Sequence, residues 1–203
     1  MKPFAVETPH GEARVHVDAA ADARAGLILG HGAGGGVAAP DLVAAARAAR
    51  SQDVSVALVE QPYRVAGRRS PAPANQLDAA WIAVVDQLRA EQLAALPLIT
   101  GGRSAGARVA CRTAEATEAA AVLCLAFPLL PPQRAKGKPP ESRLPELEAV
   151  TVPVLIVQGE GDQFGMPPAG KLREVVPVTG NHALKSDVGA VGSAVEEWLR
   201  GVA

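Results

Sequence analysis

Residues 100–109 read TGGRSAGARV, and the short apolar run Leu96-Pro97-Leu98-Ile99 stands directly before them. A serine between two glycines at the end of a strand-like run is either a flexible turn or the seat of a nucleophile. The spacing Gly102-Arg103-Ser104-Ala105-Gly106 satisfies G-x-S-x-G. A sharp strand-to-helix turn strains the serine's backbone and exposes its hydroxyl at the edge of a sheet. Small residues two before and two after it let neighbouring backbone approach. A helix starting behind the serine aims free N–H groups and a positive dipole end at the same spot. Arg103 adjoins the serine in sequence, but neighbours around so sharp a turn point different ways. Five residues decide little alone, so the rest of the chain must supply the strand, the helix, a base, an acid and an oxyanion site.

Working outward, apolar runs alternate with helical patterns. Upstream, residues 13–18 (ARVHVD) alternate like a partly exposed strand, and residues 25–30 (AGLILG) form a continuous apolar run ended by glycine, as a buried parallel strand does. HGAGGG follows, a turn that glycine makes freely. Pro40 and Asp41 then open a helix with Leu42, Val43, Ala46 and Ala49 on its apolar side. Residues 54–59 (VSVALV) predict a strand, and 75–94 an amphipathic helix with Leu77, Trp81, Val84, Val85 and Leu88 on one stripe. Residues 96–100 are the strand before the serine, and 105–116 the helix after it. Downstream, strands are expected at 120–127, 153–157 and 173–178, and a closing helix at 187–200.

Between 128 and 147 lies a loop rich in proline and charge, whose Arg134, Lys136 and Lys138 read as a solvated face. Strands alternating with helices require crossover connections and a mainly parallel sheet covered on both faces. Active residues in such sheets gather at the carboxyl ends of the strands.

The residues just after each apolar run are therefore the candidates. Ser104 needs a base, because a free hydroxyl is a poor nucleophile at neutral pH. Of the four histidines, His10 and His16 lie on the first segment, His31 beside the glycine-rich turn and His182 after the last strand-like run. Asp162, in GEGD after the run LIVQ, is placed to orient a base, with Glu160 as a rival two residues away. The order Ser104, Asp162, His182 is that of α/β-hydrolases and differs from other serine hydrolase folds.

An oxyanion site needs preorganised donors. The N–H of Ala105 is one candidate, and the HGAGGG turn supplies the other, Ala33 first and Gly34 second. His31 reads as structural, bonding backbone to hold that turn. Gly34, Phe164, and Tyr63 and Arg64 after the strand at 54–59, are candidates for lining the substrate site, and Met166 for pocket wall or core. HGAGGG lacks the Lys-Ser/Thr of a phosphate-binding P-loop and the spacing of G-x-G-x-x-G, so a nucleotide site is not expected.

Composition narrows the field. The 203 residues, 48% hydrophobic, fit one domain spanning 1–203 with a sizeable core. Twenty basic against 21 acidic residues leave a net charge of −1, and aromatics are only 3%, so no nucleic-acid or anionic membrane partner is expected. Cys111 and Cys124 have no CxxC partner and no histidine at ligand spacing, which argues against zinc and for reduced, buried thiols. No apolar run approaches the roughly 20 residues of a membrane span, and the first residues lack a signal core, so a soluble cytoplasmic protein is expected. No cofactor and no metal is implied.

The stretches LILGHGAGGG, QPYRVAGRR, ITGGRSAGARVA, LAFPL, VPVLIVQGEGDQFG and GNHALK resemble a lid-less α/β-hydrolase of the dienelactone-hydrolase-like kind over about residues 25–200. They are similar in particular to a small branch of hydrolases marked by GGRSxG, with eukaryotic testis-expressed and chromatin-complex relatives. The resemblance implies an α/β-hydrolase fold with little or no cap and a Ser-Asp-His triad at Ser104, Asp162 and His182. It departs at one point: dienelactone hydrolases proper use a cysteine nucleophile, and this chain has Ser104, so dienelactone is a poor substrate guess.

The expectation is a serine hydrolase acting on a small ester or thioester through an acyl-enzyme. The alternatives are an acyltransferase with the same triad, or a non-catalytic interaction or small-molecule-binding protein on the same fold. Substrate, oligomeric state and any closure by residues 131–146 are left open.

Overall fold

The computed structural model describes residues 3–132 and 141–203. Arg134, Lys136 and Lys138, and with them half of the loop at 131–146, lie outside the described residues.

A hairpin opens the chain: β1 (Phe4–Thr8) and β2 (Gly11–Asp18) pair antiparallel. Gly11 takes φ +105° in its turn, a conformation side-chain-bearing residues avoid. Then come β3 (Ala25–Gly30), α1 (Pro40–Arg50), β4 (Val54–Glu60), the single turn α2 (Pro62–Val65), α3 (Ala74–Ala90), β5 (Leu98–Arg103) and α4 (Ala105–Thr113). The chain ends with β6 (Ala121–Leu125), α5 (Leu144–Glu148), β7 (Val154–Gly159), β8 (Arg173–Val178) and α6 (Val188–Val202).

The eight strands form one sheet in the order β1-β2-β4-β3-β5-β6-β7-β8. From β4 to β8 every neighbouring pair is parallel, and β2 runs antiparallel to both its neighbours. Burial on both faces explains why the central strands β3, β6 and β7 are apolar almost throughout. Along β3 the side chains divide by parity. Leu27 and Leu29 pack with Leu42, Val195 and Trp198 of α1 and α6, whereas Ile28 packs with Trp81, Val85 and Leu88 of α3. Ala107, Ala110 and Cys111 of α4 and Leu147 of α5 cover β6 and β7 on the α3 side.

Every predicted strand and helix is present, β3 and β8 with the expected bounds and most of the others with shifted ends. The hairpin partner β1 and the short helices α2 and α5 are additions to the sequence reading. α4 is clamped between its neighbours: Arg112 reaches Asp78 on α3, with Nε 2.9 Å from Oδ2, and Arg108 pairs with Glu146 on α5. The described part of the connection from β6 to β7 contains α5 alone as regular structure.

Candidate active site

Ser104 stands between β5 and α4 with φ 52° and ψ −105°, a backbone conformation that costs a non-glycine residue of order 1–3 kcal/mol. The surroundings enforce it. Ser104 N–H donates to the Leu125 carbonyl of β6 at 2.9 Å, and its own carbonyl accepts from Arg108 in the first turn of α4. Both flanking glycines face backbone: a Cβ on Gly102 or on Gly106 would lie 2.4 Å from the Gly30 carbonyl oxygen. The G-x-S-x-G spacing is therefore a steric requirement of the elbow against β3.

Two loops bring the other groups to the serine. After β7, Glu160 N–H donates to Val178 O and Gly161 N–H to Gly180 O, at 2.9 and 2.8 Å. A Cβ on Gly159 would lie 2.5 Å from the Asn181 carbonyl, so the loops carrying Asp162 and His182 cross at contact distance. In the second loop Asn181 accepts from Ala183 and Leu184, and Leu184 is fully buried as its anchor.

His182 Nε2 lies 2.9 Å from Ser104 Oγ, and His182 Nδ1 lies 2.7 Å from Asp162 Oδ2. With Nδ1–H donating to the carboxylate, Nε2 faces the serine hydroxyl as an acceptor. The carboxylate is satisfied on every side: Oδ2 also accepts from Gln158 Nε2 at 2.8 Å, and Oδ1 accepts from the Phe164 N–H at 2.9 Å. The Phe164 ring meets the His182 ring edge-on with centroids 4.5 Å apart. Glu160, the rival acid, is exposed to solvent.

The glycine-rich turn lies beside the serine, since a Cβ on Gly32 would come within 3.5 Å of Ser104 Cβ. The N–H groups of Ala33 and Ala105 donate no hydrogen bond among the described residues. His31, almost fully buried, braces this turn. Its Nδ1–H donates to Gly32 O at 2.8 Å, and Nε2 accepts from Gln61 N–H at 3.1 Å. Burial holds its pKa below the ordinary value, with the Gly32 carbonyl pulling the other way. A neutral imidazole is the form that can donate at one nitrogen and accept at the other.

Of the other candidates, Tyr63 is buried behind the turn, donating its hydroxyl to Ala33 O at 3.0 Å and standing edge-on to His31. Burial pushes its phenol up to about 12, against the opposing charge of Arg64. Arg64 turns to the Arg68 carbonyl and makes no hydrogen bond to Ser104 or His182 among the described residues. Gly34 lines a groove of about 440 Å³ with Gly35, Asp41, Arg103, Ala183 and Lys185, beside His182. Met166 is 41% exposed, which removes it from the core. A cleft of about 350 Å³ between His10, Tyr63, Arg68 and Leu77 includes neither Ser104 nor His182 in its wall.

Two functional neighbours escaped the sequence reading. Gln158 is fully buried and its Nε2 reaches Phe127 O and Gly165 O as well as Asp162. Its signal was available, since it is the one polar side chain in the strand VLIVQG. Arg103 is the second. Its Nε lies 2.8 Å from Asp41 Oδ2, and its Nη2 donates to the His182 carbonyl at 3.0 Å. Nothing local marks that partnership, because Asp41 stands on α1. Among the described residues no group of three or more His, Cys, Asp or Glu could hold a metal ion, and no helix is long and apolar enough to cross a membrane.

The strand order is that of an α/β-hydrolase fold, and among the described residues the connection from β6 to β7 adds no regular element beyond α5. Residues 23–185 match the model of the alpha/beta hydrolase domain family, and the chain belongs to that family. No curated protein sequence matches the chain. Among solved structures, a serine hydrolase without lid from Xanthomonas campestris is similar at 21% identity and TM-score 0.71, over 97% of this chain and 94% of that one. Dienelactone hydrolase from Anabaena variabilis aligns at 15% identity and TM-score 0.76, over 99% and 97%. A cold-adapted esterase from an Arctic intertidal metagenomic library aligns at 14% identity and TM-score 0.73, over 99% and 93%. Identities this low speak for the fold, and the family match carries the hydrolase assignment.

Proposed function

We propose that this chain is a serine hydrolase, one domain over its 203 residues, acting on small esters or thioesters. The observation that carries the reading is the unbroken row from Ser104 Oγ to His182 Nε2 at 2.9 Å and from His182 Nδ1 to Asp162 Oδ2 at 2.7 Å. His182 takes the Ser104 proton as Oγ bonds to the acyl carbon. The oxyanion that forms is held by the N–H groups of Ala105 and Ala33. Asp162 fixes the imidazole tautomer and supports its positive charge. The alcohol or thiol leaves with the proton from His182, giving an acyl-enzyme. Water, deprotonated by His182, then releases the acid and restores the serine.

Preorganised donors of this kind contribute on the order of 10²- to 10³-fold each in rate. Phe164 walls the imidazole, and Gly34 lies on the glycine-rich turn beside the serine, where it lines a groove that reaches Arg103 and Ala183, the neighbours of Ser104 and His182 in the chain. Tyr63 acts from behind through Ala33, and Arg64, turned to the Arg68 carbonyl, is given no part in this reading. Buried free thiols at Cys111 and Cys124 suit a reducing, cytoplasmic setting.

The test is intact mass after exposure to a fluorophosphonate probe. Wild type takes a single adduct, and the Ser104→Ala and His182→Ala variants take none. A folded wild type that takes no adduct overturns the reading.

A further inference from the structure

We infer that Arg103, the residue before the elbow serine, is a positioning residue that holds His182 over Ser104 by its main chain. This rests on the reading of Ser104, His182 and Asp162 as the reacting machinery. The imidazole is bonded at both ring nitrogens, but those bonds fix its orientation and not the height of its backbone above the serine. Inside its loop the turn is closed by Asn181, which bonds Ala183 and Leu184 and leaves the His182 carbonyl unused. That carbonyl accepts from Arg103 Nη2 at 3.0 Å, the one hydrogen bond among the described residues that the His182 main chain makes. The donor sits on β5, one residue from the serine, so the two partners of the proton transfer are tied through a single side chain.

The guanidinium is itself fixed. Its Nε faces Asp41 Oδ2 at 2.8 Å, and the Asp41 side chain is fully buried in the first turn of α1, its Oδ1 accepting from Leu42 N–H at 2.9 Å. From above it is roofed by the glycine-rich turn, because a Cβ on Gly32 would lie 2.7 Å from Arg103 Nη1. A side chain at 32 would displace the guanidinium, which gives that glycine a reason beyond flexibility. Arg103 thus joins α1, the oxyanion turn, the elbow strand and the histidine loop. A planar fork can serve a carboxylate along one edge and a carbonyl along another, whereas an ammonium is a point charge that reaches one of them.

Arg103→Lys is the discriminating variant, since it keeps a cation for Asp41 and loses the bond to His182. Three readings are taken: kcat and KM on a small ester, the rate of fluorophosphonate labelling, and the downfield proton NMR signal of the imidazole N–H bonded to Asp162. The expected result is a folded protein with kcat and labelling rate lower by about 10- to 100-fold and KM changed by less than about twofold. The downfield signal is broadened or lost. Wild-type kcat with a sharp downfield signal overturns the inference. If Arg103→Lys fails to fold, the paired variant Asp41→Asn/Arg103→Gln leaves no buried orphan charge and is read the same way. The NMR signal needs no turnover. A wild type inert to probe and ester sinks the hydrolase reading, while the signal still decides whether Arg103 holds the histidine.

Discussion

Gly102 and Gly106 face the same carbonyl oxygen from two sides, and one added carbon at either collides with Gly30. Gly106 lies in the first turn of α4, where alanine would ordinarily favour a helix by about 0.8–1.0 kcal/mol. Gly106→Ala is expected instead to destabilise the fold by about 1–3 kcal/mol, the usual cost of overpacking, and to slow any reaction at Ser104. Gly192→Ala in α6 is the control: its Cβ would meet nothing closer than 3.8 Å, so it should stabilise by about 0.5–1 kcal/mol. Thermal unfolding of the two variants checks both signs. The serine, acid and histidine were legible in the sequence because each stands within a few residues of an apolar run, where a parallel sheet collects its reactive ends. Arg103 was not, and Gln158 was marked only as a lone polar residue in an apolar strand, because the partners of both are set by tertiary contact. A lone polar residue inside a strand and an arginine beside a serine each have commoner explanations.

The turn at residues 31–36 has a proton-dependent brace. His31 accepts a hydrogen bond at Nε2, and burial holds its pKa below the value of about 6.5 it takes in the unfolded chain. A depressed histidine adds stability in full above the unfolded value, and loses it as pH falls from about 6.5 through the folded value, because the unfolded chain binds the proton first. Melting temperature should therefore fall on acidification below about pH 6.5, and a His31→Gln variant should flatten that slope. The helix α4 and strand β6 offer a second check. Cys111 Sγ and Cys124 Sγ lie 3.5 Å apart, unbonded and buried, and the neighbouring thiol together with burial pushes Cys124 well above the usual thiol range. Neither should react with a thiol reagent until the protein is unfolded, and rapid labelling of the native state would contradict that packing. The parallel core was readable from its short continuous apolar runs. β1 was missed because FAVET is a five-residue edge strand with one buried side chain, and α5 because LPELE sits inside a proline-rich stretch.

Across the molecule, the sheet is held by two layers that do different work. α1 and α6 close one face with Leu42, Val195, Trp198 and Leu199, far in sequence from each other, while α3, α4 and α5 close the other. Truncation within α6 would strip the first layer of half its cover. Trp198→Ala is expected to cost about 3–5 kcal/mol, read by denaturant unfolding, without touching any residue of the site. The bond between His182 and Ser104 spans 78 residues of chain, and the loops that complete it cross only after β7 and β8 have joined the sheet edge. That gives the protein a clock. Helices formed from local contacts appear early in refolding, whereas pairings between distant segments come late. Recovery of probe labelling at Ser104 should therefore lag the return of helical circular dichroism. On the reading proposed above, a chain still being made carries an inert serine until Asp162 and His182 have been synthesised and have found their place, roughly seconds after Ser104 at ordinary synthesis rates.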